Sequence, residues 1–262
     1  MAGPTLGMVG PRRVGPNMFP IRDHNPSERR PYVTYVLVAL NVLVFLSYLS
    51  LFGDPRALNG FFYTWGVVPA WVWDRPLTVV TSMFLHGGFL HLAGNMLFLW
   101  VFGDNMEDRM GHLGFLSFYL AGGIGAAAIQ IAADPQSTIP MVGASGAIAA
   151  VLGGYLLLFP KARVDVLFII VVIIRIVPIP AFIVLGIWFG IQIFGGLATP
   201  SDEGGVAYWA HSGGFTVGLL LTLPLWLRLG GPAFWRRTDG HPDHPEARYR
   251  WQRSGVPKVP RR

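Results

Sequence analysis

The chain contains six apolar runs that are each close to the length needed to cross a bilayer, and this repetition restricts its possible folds more than any other feature. The runs cover residues 32–52, 78–102, 113–133, 141–159, 181–197 and 208–229. A helix needs about 20 mostly apolar residues to cross the hydrocarbon core. We therefore predict an all-α polytopic membrane protein with six transmembrane helices, without an internal repeat or a second domain.

The composition agrees with this class. Of 262 residues, 52% are hydrophobic and only 13% are charged, whereas about 25% are charged in a typical soluble domain. The chain has no cysteine, which excludes disulfides and cysteine nucleophiles. The first apolar run follows a basic, proline-rich stretch and no small-residue cleavage site is apparent, so we expect no cleavable signal peptide.

The positive charge is concentrated where it would set membrane orientation. The net charge is +6, and most Lys and Arg residues lie in the two tails and between the fourth and fifth runs. Because cytoplasmic loops are rich in Lys and Arg, we predict cytoplasmic termini in a bacterial inner membrane. Nucleic-acid binding, the usual alternative for a basic soluble protein, is not expected. The predicted organisation is a basic segment 1–31, a membrane domain 32–229 and a disordered basic tail 230–262.

Two connecting segments have compositions of their own. The long first loop, 53–76, is rich in Phe and Trp, which indicates a segment lying in the membrane interface. Residues 166–177 are apolar but too short to cross and contain Arg175. We interpret this second segment as interfacial or partly re-entrant.

Ser145 and His211 are polar residues within apolar runs, and each stands among glycines. A bilayer penalises polar side chains that lack a partner, so we expect the two to hydrogen-bond if their helices are neighbours. Such a pair is a nucleophile with its general base. No Asp or Glu in the runs is an obvious third member, which favours a dyad. Small residues also let helices pack closely, and a histidine can simply bridge two helices, so neither motif is decisive alone.

The surroundings of both residues fit this chemistry. The fourth helix should begin close to Ser145, which places free backbone N–H groups beside the serine, where an oxyanion needs donors. Gly143 and Gly146 would let a substrate backbone approach. Gly214 and Gly218 are four residues apart and predict a face of the sixth helix that presses against a neighbouring helix.

The second run begins with a histidine-rich stretch. His91 and Asn95 are four residues apart and share one helix face, so their side chains can complete an oxyanion hole. Metal ligation by His86, His91 and His211 is the competing interpretation. No carboxylate or fourth ligand lies nearby in sequence, and the spacing does not match the zinc helix motif. We therefore expect neither a metal nor another cofactor.

Taken together and in this order, the motifs resemble those of the rhomboid intramembrane serine proteases. The resemblance extends over residues 19–229. It rests on five stretches: Phe-Pro-Ile-Arg-Asp-His-Asn-Pro at 19–26, H-x₄-H-x₃-N at 86–95, E-x-R-x-G at 107–111, G-x-S-G at 143–146, and A-H-x₂-G-x₃-G at 210–218.

This resemblance implies that Ser145 is the nucleophile and His211 the base. It also implies that His91 and Asn95, with the backbone N–H of Ser145, are the oxyanion donors, and that Gly143 shapes the approach of the substrate. The remaining matched positions would be structural: His86 near the mouth of the site, Gly146, Gly214 and Gly218 beside it, and Glu107 and Arg109 at the cytoplasmic end.

The sequence departs from the family at two positions. Leu77-Thr78 replaces a common Trp-Arg pair in the first loop, which concerns the stability of the loop. Ala149 replaces the Tyr or Phe that usually packs against the catalytic histidine. Either an aromatic residue from elsewhere supports the ring of His211, or the ring is held more loosely and turnover is slower.

The resulting expectation is an endopeptidase that cuts single-span membrane proteins near the outer boundary of the bilayer. Lateral substrate entry is expected past the fifth helix and the following loop, where Gly195, Gly196, Gly204 and Gly205 allow movement. The alternatives are a catalytically silent relative that binds and escorts membrane helices, and a transporter. A transporter would require paired charges deep in the runs, which are not found. The partners are thus transmembrane proteins and the lipid bilayer, and no oligomeric state is assigned.

Overall fold

A computed structural model describes residues 17–170, 173–198 and 206–247 and shows a helical bundle with a small sheet at one end. Gly204 and Gly205, two of the expected hinge positions, lie outside these residues. The helices are α1 (Tyr32–Ser47), α2 (Pro55–Trp65), α3 (Thr78–Thr81), α4 (Phe89–Met110), α5 (His112–Ala133), α6 (Ser145–Leu158), α7 (Ala181–Ala198), α8 (Tyr208–Arg228) and α9 (Pro232–Thr238). The strands are β1 (Asn17–Asp23), β2 (Arg163–Ile170) and β3 (Ile173–Pro180).

The helices are those of a multi-pass membrane protein. Helices α5, α7 and α8 are long and apolar enough to cross a bilayer, and α3 with α4 forms a fourth candidate if the bent pair is one span. Helices α1 and α6 are apolar but shorter, with 16 and 14 residues. These elements coincide with the six apolar runs, and the count of six spans stays a prediction.

Helix α6 lies in the middle of the bundle. Eleven of its 14 residues are buried, as expected for a helix that is apolar on all sides. Its closest neighbour is α8. A Cβ at Gly218 would collide with the backbone of Ala150, and one at Gly153 with the backbone of Phe215. The spacing of Gly214 and Gly218 therefore predicted the packing face correctly, and the neighbour is α6.

The second predicted span is not one continuous helix. The chain bends by 93° between α3 and α4, and α4 continues to Met110, beyond the predicted end at residue 102. The break contains Gly87 and Gly88, which are poor helix formers. Tyr48, the residue after α1, holds the break in place: its hydroxyl accepts from the N–H of His86 at 2.7 Å and donates to the carbonyl of the same residue at 3.0 Å.

The first loop, residues 53–76, contains short helices, and its expected location in the membrane interface stays a prediction. Asp54 begins the amphipathic helix α2 by accepting from the backbone N–H groups of Arg56 (2.9 Å) and Ala57 (3.2 Å). Farther along, the guanidinium of Arg75 lies over the ring of Trp71 and donates to the carbonyl of Tyr63. These contacts tie the loop together although the common Trp-Arg pair is missing.

The interpretation of residues 166–177 was incomplete, because the segment contains strands that were not predicted; its interfacial or partly re-entrant location stays a prediction. Residues 166–170 belong to β2 and residues 173–177 to β3. These strands pair antiparallel, and β1 adds to β2 to give a three-stranded sheet in the order β1-β2-β3. The segment is rich in Val and Ile, which favour strands. Its partner strand lies about 140 residues earlier in the chain, so local periodicity could not reveal the pairing.

The expectation of disorder from residue 230 onward was also wrong for the part that the structure describes. Helix α9 buries Phe234 completely, and the indole N–H of Trp235 donates to the carbonyl of Leu157 at 3.0 Å. Farther along, Asp243 pairs with Arg109 at the end of α4. Nearby, the carboxylate of Glu107 caps α1 by accepting from the N–H groups of Val33 and Thr34, both at 2.8 Å.

Candidate active site

Ser145 and His211 meet at the end of the bundle opposite the sheet. Nε2 of His211 lies 2.7 Å from Oγ of Ser145. Ser145 is the first residue of α6 and His211 is in the first turn of α8, so the close packing of these two helices brings the side chains together. This distance is that of a hydrogen bond between a nucleophile and a base.

The backbone around Ser145 exposes donors. The first bond within α6 runs from the N–H of Ile148 to the carbonyl of Ala144, so the N–H groups of the first turn point out of the helix end. Just before it, Gly143 has φ +135°, a conformation that favours glycine. Its N–H donates to the carbonyl of Ser82 at 2.9 Å, and this bond fixes the backbone segment that leads to Ser145.

His91 faces the same point from α4. A Cβ built on Gly143 would lie 2.8 Å from Nε2 of His91 and 3.4 Å from Oγ of Ser145. Nδ1 of His91 accepts from the N–H of Gly87 at 3.3 Å. In a neutral imidazole one nitrogen accepts and the other donates, so this contact leaves the proton on Nε2, which lies beside Gly143.

Asn95 lies one turn farther along α4 and lines the same cavity. Its Nδ2 donates to the carbonyl of His91 at 3.0 Å, which occupies one of its two N–H groups. The second remains as a donor to a group in the cavity. His86, expected near the mouth, is instead fully buried, with its ring edge-on to His91 at 5.1 Å between centroids.

Ser145 borders two cavities. The larger has a volume of about 580 Å³ and brings together most of the predicted polar groups; its lining includes His91, Asn95, Gln130, Ser145, Trp188 and His211. A smaller cavity of about 40 Å³ also reaches Ser145 and is lined mainly by small or apolar residues. The hydroxyl of Ser145 therefore has access both to a chamber that contains the polar groups and to a narrow recess.

Two of the site residues that were not predicted come from α7. Oε1 of Gln192 lies 2.8 Å from Nδ1 of His211. The ring of Trp188 packs against the imidazole at 5.9 Å between centroids and 31° between planes. Trp188 is thus the aromatic residue from elsewhere that supports the ring in place of Ala149. A signal for Gln192 existed, since a polar residue within an apolar span is a functional candidate by default.

A third unpredicted polar residue, Gln130 on α5, fixes the start of α8. Its Oε1 accepts from the backbone N–H of Ala210 at 3.0 Å, the residue before His211. The predicted structural glycines have tight contacts as well: a Cβ at Gly146 would lie 2.7 Å from Cβ of Ala126, and one at Gly214 would collide with the carbonyl of Gly146. Within the described ranges, no three His, Asp or Glu side chains converge as a metal site would require.

The fold and this site define a multi-pass helical membrane protein with a serine and a histidine paired within the bundle. Comparison with known proteins gives the family. Residues 73–228 match the model of the Rhomboid domain, which is more than half of the chain, and the protein belongs to the rhomboid family.

Similar proteins come from several kinds of organism. Rhomboid protein 1, mitochondrial, of Saccharomyces cerevisiae is 28% identical over 195 residues, 72% of this chain and 51% of that protein. Rhomboid-like protein 11, chloroplastic, of Arabidopsis thaliana is 28% identical over 127 residues, 48% of this chain and 42% of that protein. Rhomboid protease GluP of Bacillus subtilis is 37% identical over 131 residues, 48% of this chain and 24% of that protein. The chain thus spans about half or less of the length of these relatives.

Proposed function

We propose that this protein is an intramembrane serine endopeptidase that cleaves single-span membrane proteins near the outer boundary of the bilayer. The observation that carries the proposal is the 2.7 Å contact between Oγ of Ser145 and Nε2 of His211. Membership of a family that includes a protein named as a protease supports the reaction type.

In the proposed reaction His211 is the general base. Nε2 takes the proton of Ser145 as Oγ attacks the scissile carbonyl, and the developing negative charge moves to the carbonyl oxygen. The imidazolium then gives its proton to the departing amine as the C–N bond breaks. A water molecule, activated by the same nitrogen, hydrolyses the acyl-enzyme and restores Ser145.

Three donors surround the place where the oxyanion would form. They are the backbone N–H of Ser145 at the start of α6, Nε2–H of His91 and the remaining N–H of Asn95. Donors held in place before the reaction stabilise developing charge without a reorganisation cost, and one such donor typically contributes about 10²–10³ in kcat.

The location of the site within the membrane follows from the proposed topology. Ser145 and the sheet lie at opposite ends of α6, which at about 1.5 Å per residue is roughly 20 Å long. If the basic termini and the sheet are cytoplasmic, as proposed for a bacterial inner membrane, the Ser–His pair lies near the outer boundary. A substrate helix would enter sideways past α7 and unwind in the larger cavity.

Purified protein in detergent provides the test, with a fluorophosphonate probe for Ser145 and a fluorogenic single-span peptide for cleavage. We expect both reactions in the wild type and neither in Ser145→Ala or His211→Ala. Ser212→Ala is the matched control, because the hydroxyl of Ser212 is bonded to the carbonyl of Tyr208 in its own helix and should be dispensable. Peptide binding without labelling or cleavage in the wild type would contradict the proposal and indicate a silent escort of membrane helices.

A further inference from the structure

In addition to Ser145, the imidazole of His211 contacts two side chains that belong to the same helix, α7. Trp188 and Gln192 are four residues apart on α7 and therefore share a face. Gln192 is only 7% exposed, and it is one of three buried residues in the whole helix, with Ala181 and Leu185. Two of the side chains that α7 turns inward, Trp188 and Gln192, therefore contact His211.

The amide of Gln192 is oriented so that its oxygen faces the imidazole. Its Nε2 points back to the carbonyl of Trp188 at 3.4 Å, which leaves Oε1 at 2.8 Å from Nδ1 of His211. An amide oxygen only accepts, so Nδ1 must carry the proton, and the lone pair of Nε2 then faces Ser145. This is the tautomer that a general base requires.

Trp188 restrains the orientation of the ring plane of His211. The indole lies beside the imidazole of His211, and it is itself packed against Phe215 of α8 at 6.2 Å between centroids. On α6, the position one turn after Ser145 is Ala149, whose methyl group is too small to support the ring. The plane of the imidazole is therefore set from α7.

Glycines near the end of α7 bring it close to the start of α8. Gly195 lies against the ring of Tyr208 and Gly196 against the indole of Trp209. A different face of α7 is exposed and apolar, with Ile187, Ile191 and Phe194 all more than half exposed. The contact between the two helices thus continues for about one turn beyond Gln192.

We propose that Gln192 and Trp188 are positioning residues for the base, so that the Ser–His pair is competent only while α7 lies against α8. Gln192 selects the tautomer of His211 and Trp188 holds the plane of its ring. The inference rests on the proposed function. It further implies that displacement of α7, whether by a substrate or by a mutation, switches the base off until the helix returns.

The kinetic test compares substitutions of Gln192 in the full-length protein. Gln192→Leu keeps the bulk but removes the acceptor, and we expect kcat to fall about 10²-fold, the scale of general-base catalysis, with little change in KM. Gln192→Glu restores an acceptor and adds a charge that favours the imidazolium. We expect it to regain activity and to shift the acidic limb of the pH–rate profile by about one unit toward higher pH. If Gln192 had a purely structural role, Gln192→Leu would lower the thermal midpoint without this loss of kcat, and that result would overturn the inference.

The role of α7 as a whole is tested by two glycine substitutions in the same helix. Gly195→Ala would push the ring of Tyr208 and separate α7 from α8, so we expect it to reproduce the loss of kcat caused by Gln192→Leu. Gly190→Ala is the control, because a Cβ there meets nothing within 4 Å. Equal activity of Gly195→Ala and Gly190→Ala would overturn the coupling of α7 to the base.

An NMR measurement of the His211 tautomer does not depend on catalysis, and it therefore separates this inference from the proposed function. In ¹⁵N-histidine-labelled protein, the signals of His211 are assigned by their loss in His211→Gln, and we expect a proton on Nδ1 in the wild type and a mixture of tautomers in Gln192→Leu. This result would support the positioning role even if the wild type cleaved no peptide, in which case the proposed function fails. An active wild type with the same tautomer and kcat in Gln192→Leu would overturn the inference alone.

Discussion

Gly143 and His91 are in such close contact that no other residue fits at position 143. A Cβ there would lie 2.8 Å from Nε2 of His91, and the backbone has φ +135°. One glycine thus satisfies two requirements, a conformation that side chains avoid and a close approach between an imidazole and the segment leading to Ser145. The proposed oxyanion site depends on both.

Gly143→Ala should therefore abolish fluorophosphonate labelling and peptide cleavage, because the added methyl group displaces His91. The matched control is Gly111→Ala, at the end of α4. That glycine also has a positive φ, +72°, but a Cβ would meet nothing within 4 Å. We expect the control to lose about 1 kcal/mol of stability and to keep its labelling. Normal labelling of Gly143→Ala would show that the position of His91 is unimportant.

Gly218→Ala should both destabilise the bundle and reduce activity. Its Cβ would fall on the backbone of Ala150, so α8 must move away from α6 and carry His211 with it. Overpacking of this kind typically costs about 1–3 kcal/mol of folding stability. Because the added methyl group would collide with rigid backbone, we expect a cost at the upper end of this range. Gly186→Ala on α7, where the space is open, is the control. The thermal midpoint in detergent measures the effect, and equal midpoints for the two variants would contradict it.

The sequence was sufficient to predict the long helices and the contact between Ser145 and His211. Apolar runs predict spans because the bilayer requires a minimum length, and five of the six predicted runs begin within one residue of an observed helix: α1, α3, α5, α7 and α8. Ser145 and His211 could be paired in advance because an isolated polar group within an apolar run needs a partner.

Features that depend on non-local contacts could not be predicted. The bend after α3 is held by Tyr48, which follows α1, and an apolar run does not indicate it. Strand β1 pairs with a segment that lies beyond six helices, α1 to α6. Gln192 forms part of no sequence motif, and its role appears only when α7 is packed against α8.

The sheet should be sensitive to acid through Asp165. Burial acts to raise the pKa of this carboxyl group, but the hydrogen bonds from His24 (2.9 Å) and Arg22 outweigh it, and the net pKa is below its usual value near 3.8. A lowered pKa means that the contribution to stability is complete above about pH 4 and is lost as the pH falls through the pKa of the folded state. Asp165→Asn removes this dependence. We expect its thermal midpoint to be below that of the wild type at pH 7 and to approach it in acid, and a constant difference would contradict the assignment.

The small cavity beside Ser145 should limit the side chain that precedes the scissile bond, if the proposed function holds. Its volume of about 40 Å³ is enough for a water molecule, which needs a cavity of roughly 10–15 Å³, but it is a small fraction of the volume of the larger cavity, so we expect a methyl group to fit better than a leucine side chain. We expect kcat/KM to fall at least about 10-fold from an alanine to a leucine peptide. Met83→Ala should relax this preference because Met83 lines the cavity. Met106→Ala, which removes a buried methionine elsewhere in the core, should not.

The membrane orientation can be tested with single cysteines, since the native chain has none. Gln136 is exposed in the loop before Ser145, and Arg236 is exposed on α9 at the opposite end of α6. If the basic termini are cytoplasmic, Gln136→Cys should react with an impermeant thiol reagent on intact bacterial cells, and Arg236→Cys only after lysis. The reverse pattern would place the Ser–His pair near the cytoplasmic boundary. Substrates would then have to present their cleavage sites on that side, although the chemistry proposed for the pair would be unchanged.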